Sequence, residues 1–78
     1  MVVQAYVLIQ TEVGAAPNVV RAIREISGVT LAEDVTGPYD VIVRAEAATM
    51  DELGRLIIAR IQSVPGITRT LTCPVLNL

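Results

Sequence analysis

Side chains able to do chemistry are few in this chain, and several of them crowd one short segment. Between two β-branched runs lies Val35-Thr36-Gly37-Pro38-Tyr39-Asp40, which sets a hydroxyl, a phenol and a carboxylate around a Gly-Pro pair. Gly37 can take backbone angles closed to other residues, while Pro38 fixes its own φ and lacks an N–H, so the pair reverses the chain. A simple reversal needs neither Tyr39 nor Asp40. An ionised carboxylate accepts hydrogen bonds from cations and amides, and hydroxyls both donate and accept. Such groups on a loop held by a rigid scaffold are equipment for binding. Equipment for covalent or acid–base chemistry is thin. The chain has no histidine and one cysteine, Cys73, so a catalytic triad, a dyad or a typical zinc site lacks its usual member. No metal, cofactor or catalytic residue is expected.

The elements that must carry this turn are constrained by size and composition. Seventy-eight residues make a single domain, 1–78. The chain is 53% apolar, with a mean hydropathy of +0.58. No apolar run approaches the roughly 18 residues of a membrane span. The first residues lack the basic start and small-residue cleavage site of a signal peptide. A lone cysteine forms no internal disulfide, and the expected location is cytoplasmic. Small domains bury only part of their surface, so the surplus apolar area is expected to meet other copies of the chain. Six arginines and no lysine against eight carboxylates argue against direct nucleic-acid binding, which rests on phosphate neutralisation. Tyr6 and Tyr39 are the only aromatic residues, a poor stacking platform for single strands.

Periodicity supplies the scaffold. Val2 to Glu12 reads as a strand with Val3, Ala5, Val7 and Ile9 on one face and Tyr6 and Leu8 on the other, both apolar. Pro17 suits a helix start, Val19, Val20, Ile23 and Ile26 recur at helical spacing, and Gly28 stops the helix. Val29, Leu31, Glu33 and Val35 lead a second strand into the turn, and Val41 and Val43 alternate with Ile42 and Arg44 in a third, ending near Ala47. Thr49 with Glu52 three residues later has capping-box spacing. Leu53, Leu56, Ile57, Ile61 and Val64 form the inner stripe of a second helix, with Ile58 outside it. Pro65-Gly66 ends that helix, and Ile67 to Leu76 makes a fourth strand in which Pro74 suggests an edge or an end. Ile26-Ser27-Gly28-Val29-Thr30 resembles Val64-Pro65-Gly66-Ile67-Thr68, 66 − 28 = 38 residues later. The order βαββαβ with this repeat predicts an α+β, ferredoxin-like fold with a four-stranded antiparallel sheet. Two helices cover one sheet face; the other, with Tyr6 and Leu8, is too apolar to remain wet.

Gly28-Val29, then Thr36-Gly37-Pro38-Tyr39-Asp40, then Pro65-Gly66-Ile67 and Arg69-Thr70-Leu71-Thr72 together resemble the effector-binding half of the leucine-responsive/asparagine-regulator (Lrp/AsnC) family, the RAM domain. The likeness spans Val2 to Leu76, and its most specific parts are the Gly-x-Tyr-Asp turn and the Pro-Gly-Ile-x-Arg-Thr-x-Thr segment. The resemblance implies a dimeric α+β barrel, dimers formed through the sheets, assembly into an octamer-type ring, and a small amino-acid effector held between dimers. Family regulators also carry an N-terminal helix-turn-helix; here the first strand begins at residue 2, so a stand-alone effector domain is expected. Its readout would then pass through a partner, with full-length family regulators one candidate.

On this resemblance the candidate ligand-binding residues are Thr36, Gly37, Tyr39, Asp40, Thr70 and Thr72. Asp40 would answer an ammonium, and amides and hydroxyls would receive a carboxylate. Each residue also has a purely structural reading. Gly37 serves any turn, Asp40 could cap the turn or pair with an arginine, Tyr39 could fill an interface, and Thr70 and Thr72 are ordinary strand residues. Cys73 reads as a small buried hydrophobe. Two other functions stay in view because fold does not decide function: a small dimeric ferredoxin-like enzyme of monooxygenase or isomerase type, and an ACT-like regulatory module. The latter would centre its site on Val13-Gly14-Ala15-Ala16, which offers little chemistry.

Overall fold

The computed structural model describes residues 2–76, in the order β1 (Val3–Thr11), α1 (Ala16–Arg24), β2 (Val29–Asp34), β3 (Val41–Ala47), α2 (Met50–Glu52), a π-helical segment (Leu53–Ile58), α3 (Ala59–Gln62) and β4 (Ile67–Pro74). The sheet has four antiparallel strands in the order β2-β3-β1-β4. This is the ferredoxin-like α+β fold that the sequence pattern predicts.

Alternation along β1 decides which face closes. Ala5, Val7 and Ile9 are fully buried and stand opposite Ala45, Val43 and Val41 of β3. Val19, Val20 and Ile23 of α1, with Leu53, Ile57 and Ile61 of the second helical stretch, complete one apolar core between helices and sheet. Among the described residues no polar or charged side chain is buried there, so that core needs no side-chain hydrogen-bond partners.

The opposite face carries Gln4, Tyr6, Leu8 and Gln10 of β1, which alternate with the buried set and pair with Glu46, Arg44, Ile42 and Arg69. No helix covers it. Tyr6, Leu31 and Leu71 are each about 40% exposed there. The Arg44 guanidinium lies 5.6 Å from the Tyr6 ring centroid, and the Gln4 carboxamide donates to Glu46 at 3.2 Å. β1 is therefore covered on one face of the single chain, not on two. Cys73 pairs with Tyr6 on the open face and is exposed rather than buried.

Two elements depart from their expected pattern. β2 shifts register between Val29 and Leu31, and this bulge turns Ala32 to the core while Leu31 and Glu33 face outward. Val35 falls beyond the strand. The second helix begins with half of the expected capping box: the Glu52 amide donates to Thr49 Oγ1 at 3.1 Å, while among the described residues the Glu52 carboxylate does not take the Thr49 amide in return. It then widens: the Ala59 amide donates to the Gly54 carbonyl, five residues back. With this wider step Ile58 is partly buried and packs against the core instead of standing outside it. Of the expected inner stripe, the Leu56 side chain lies outside the described residues.

The internal repeat has a structural counterpart. After α1 the Gly28 carbonyl accepts the Glu46 amide at 2.8 Å, and after α3 the Gly66 carbonyl accepts the Glu12 amide at 2.8 Å. Each half thus ties the turn after its helix to the C-terminal end of a central strand.

Candidate functional site

The turn between β2 and β3 is held by three successive residues at the end of β1. The Ile9 carbonyl accepts the Asp40 amide at 2.8 Å. Gln10 reaches the turn from the open face, its Nε2 donating to the Pro38 carbonyl at 3.1 Å. Thr11 holds the Asp40 carboxylate, whose Oδ2 accepts the Thr11 amide at 2.8 Å and the Thr11 hydroxyl at 3.4 Å. Within the turn the Asp40 carbonyl accepts the Val35 amide at 2.8 Å. The bonds from Ile9 and Thr11 arise because β1 outruns its pairing with β3, which ends at Ile9–Val41, so its last residues meet the turn instead of a strand.

Asp40 therefore has a structural duty, and its chemistry is only half spent on it. One oxygen anchors β1; Oδ1 has no hydrogen-bond donor among the described residues. A half-buried carboxylate with one free oxygen at a sheet end can take an ammonium or a further N–H. Gly37 has φ +133°, a conformation that side-chain-bearing residues avoid, yet a Cβ built there would meet nothing within 4 Å. The backbone angle explains the glycine, and the space above it is open to an approaching group. Thr36 and Pro38 are exposed beside it, and Tyr39 is half-buried.

Thr70 and Thr72 lie two strands from the turn, on β4, the sheet edge. Thr70 stands opposite Ile9 and Thr72 opposite Val7, which puts both side chains on the helix-covered face. Thr70 shares the turn's end of the sheet, since Ile9 separates it from Val41, and its hydroxyl accepts from Gln62 Nε2 at 3.3 Å. Thr72 is one further pair toward the middle of the strand. A single chain thus brings Thr36, Gly37, Tyr39 and Asp40 together, with Thr70 nearby and Thr72 apart. Residue-by-residue reading of the sequence missed Ile9, Gln10 and Thr11, whose only signal is strand register.

Among the described residues no group of three or more His, Cys, Asp or Glu could hold a metal ion, and no helix is long and apolar enough to cross a membrane.

The model of the Lrp/AsnC ligand-binding domain matches residues 4–78. The chain belongs to the Lrp/AsnC family. Among solved structures, TTHA0845 from Thermus thermophilus superposes with a TM-score of 0.88 at 29% identity, covering 97% of this chain and 95% of that one. AsnC of E. coli superposes with a TM-score of 0.86 at 25% identity, covering 97% of this chain and 52% of that one. A helix-turn-helix-type transcriptional regulator of Pyrococcus furiosus is 29% identical over 55 residues, 70% of this chain and 37% of the regulator. A homocitrate synthase of Sulfurisphaera tokodaii is 39% identical over 59 residues, 76% of this chain and 13% of the synthase. This Lrp/AsnC domain therefore spans about a third or less of the curated relatives it matches.

Proposed function

We propose that this Lrp/AsnC domain is a non-enzymatic, cytoplasmic effector-binding and oligomerisation module in which a small amino acid is held at the β2–β3 turn between dimers. The observation that carries the reading is that Asp40 Oδ1 has no donor among the described residues, in the same turn as a Gly37 that faces open space, in a domain whose family model is a ligand-binding one. Asp40 would receive the ammonium, while turn amides and the hydroxyls of Thr36 and Tyr39 would receive the carboxylate. Thr70 would contribute from the helix side. Thr72 needs the approach of a second chain or a ligand that extends along β4.

Sheet-to-sheet dimerisation is supported by the uncovered face, where Tyr6, Leu8, Leu31, Ile42, Leu71 and Cys73 form an apolar field interleaved with Arg44, Glu33 and Arg69. Face-to-face contact would take that field out of water and let opposite charges meet. Further assembly into an octamer-type ring would put two turns together and enclose the ligand. Binding then acts by linkage, favouring whichever assembly holds the ligand better. The similarity to part of a homocitrate synthase as well as to a helix-turn-helix regulator supports a readout that passes to a partner and needs no contact of this domain with DNA. Full-length family regulators are candidate partners.

A thermal-shift panel of the standard amino acids, followed by sedimentation with each hit, tests this directly. The expected result is at least one amino acid that raises the melting temperature and shifts the assembly. No shift at millimolar concentration with unchanged assembly refutes it. Leu8→Glu should leave the fold intact and yield a monomer, because it places a charge at the centre of the open face. An enzyme reading lacks support from the clefts: that of ≈ 260 Å³ beside Ile57 is a surface groove at the other end of the sheet, lined also by Ser27, Glu52 and Arg60.

A further inference from the structure

Gln10 belongs to two surfaces at once. By alternation with buried Ile9 its side chain lies on the open sheet face, next to Arg69. Its carboxamide nevertheless leaves that face at the edge and donates to the Pro38 carbonyl in the turn. The other contacts that hold the turn work from the backbone or from Thr11. They do not depend on whether the open face is wet or covered. The Gln10–Pro38 bond is exposed in the single chain, so water competes for its amide and its carbonyl. Covering the face removes that competitor and lowers the local dielectric, which strengthens the bond.

We propose that Gln10 is a positioning residue that couples the sheet-to-sheet contact to the effector turn, so that dimerisation stiffens the Gly37–Asp40 segment before any ligand arrives. This rests on the dimer reading given above. Pro38 is suited to the role, since it offers a carbonyl, has no competing N–H of its own, and sits directly between Gly37 and Tyr39. Gln10 need not touch the ligand. It sets the conformation of the residues that do, and by reciprocity a ligand that orders the turn strengthens the dimer. Both polar residues of this row of β1 are tied by their carboxamides, Gln10 to the Pro38 carbonyl of the turn and Gln4, at the other end, to Glu46.

The deciding experiment needs no ligand. Amide hydrogen exchange at Val35 and Asp40 is measured in the wild-type chain and in Gln10→Leu, at concentrations above and below the dimer dissociation constant, with sedimentation run in parallel. Gln10→Leu keeps the face apolar and leaves the Thr11 clamp in place. In the wild type, exchange at both amides should slow by roughly two- to tenfold on dimerisation, the worth of one net hydrogen bond. In Gln10→Leu the dimer should form and the extra slowing should vanish. A role confined to holding the monomer together would instead raise exchange equally in monomer and dimer. Wild-type exchange that ignores dimerisation, or slowing retained in Gln10→Leu, overturns the proposal. A chain that sediments as a monomer throughout refutes the dimer reading itself, and the proposal falls with it.

Discussion

The turns centred on Gly28 and Gly37 look alike in sequence, each a glycine beside β-branched residues, yet they work differently. Gly28 has φ +98°, and a Cβ there would run into Ile57 Cδ1 and stand 3.0 Å from the Glu46 carbonyl oxygen. Its own carbonyl takes the Glu46 amide. Shape, backbone angle and hydrogen bond are all spent on joining α1 to β3. Gly66 repeats that arrangement in the second half of the chain. Gly37 has the positive φ alone: nothing within 4 Å would meet a Cβ, and the turn has no counterpart in the repeat because it joins the two halves. A glycine hemmed in by protein is structural; a glycine facing open space, next to a half-used carboxylate, has room for a ligand. The repeat makes the scaffold, and the unrepeated linker between its halves carries the candidate site.

The contrast can be broken by substitution. The largest effect belongs to Gly28→Val, which adds a strained φ to overpacking against Ile57 and should cost about 3–4 kcal/mol in denaturant unfolding. A loss below about 1 kcal/mol would mean the packing at that junction is soft. Gly37→Ala meets only the backbone penalty and should cost about 1.5 kcal/mol; amino-acid stabilisation in the thermal-shift panel should fall further than stability does. Asp40→Asn keeps an acceptor for Thr11 and should cost only about 0.5 kcal/mol, since the bond loses charge but not its partner. The same variant should abolish ligand-induced stabilisation. Equal losses of stability and ligand response would return Asp40 to a purely structural role. At the bottom of the scale, Asp51→Ala removes an exposed pair with Arg55, 2.6 Å apart on the helix surface, and should change stability by about 0.5 kcal/mol or less. That variant gauges what a surface interaction outside both turns is worth.

Much of the scaffold was legible because it rests on local periodicity. The alternation of β1 and β3, the stripe of α1 and the Thr49 cap are each written within a few residues. What periodicity missed lay where local rules compete with tertiary fit. The register shift in β2 puts Ala32 in the core and leaves Leu31 outward, and the Arg24 guanidinium of α1 reaches the Ala32 carbonyl at 2.8 and 3.1 Å. The π-helical widening drew Ile58 inward because the core has apolar surface to offer at that point. Cys73 was expected inside for its apolar strand, but it falls on the face that a single chain leaves bare.

The candidate site divides the same way. Sequence alone determined that a Gly-x-Tyr-Asp turn exists and that it joins two strands, since residue types and backbone limits are local properties. Only the tertiary structure decided that Ile9, Gln10 and Thr11 hold this turn, that one oxygen of Asp40 has no donor among the described residues, and that Thr70 stands near it while Thr72 does not. Those facts depend on strand register, which is fixed by the pairing of residues about thirty positions apart (Thr11 with Asp40, Gln10 with Pro38). No window along the chain contains both partners, so the anchoring of the turn emerges only when the sheet closes.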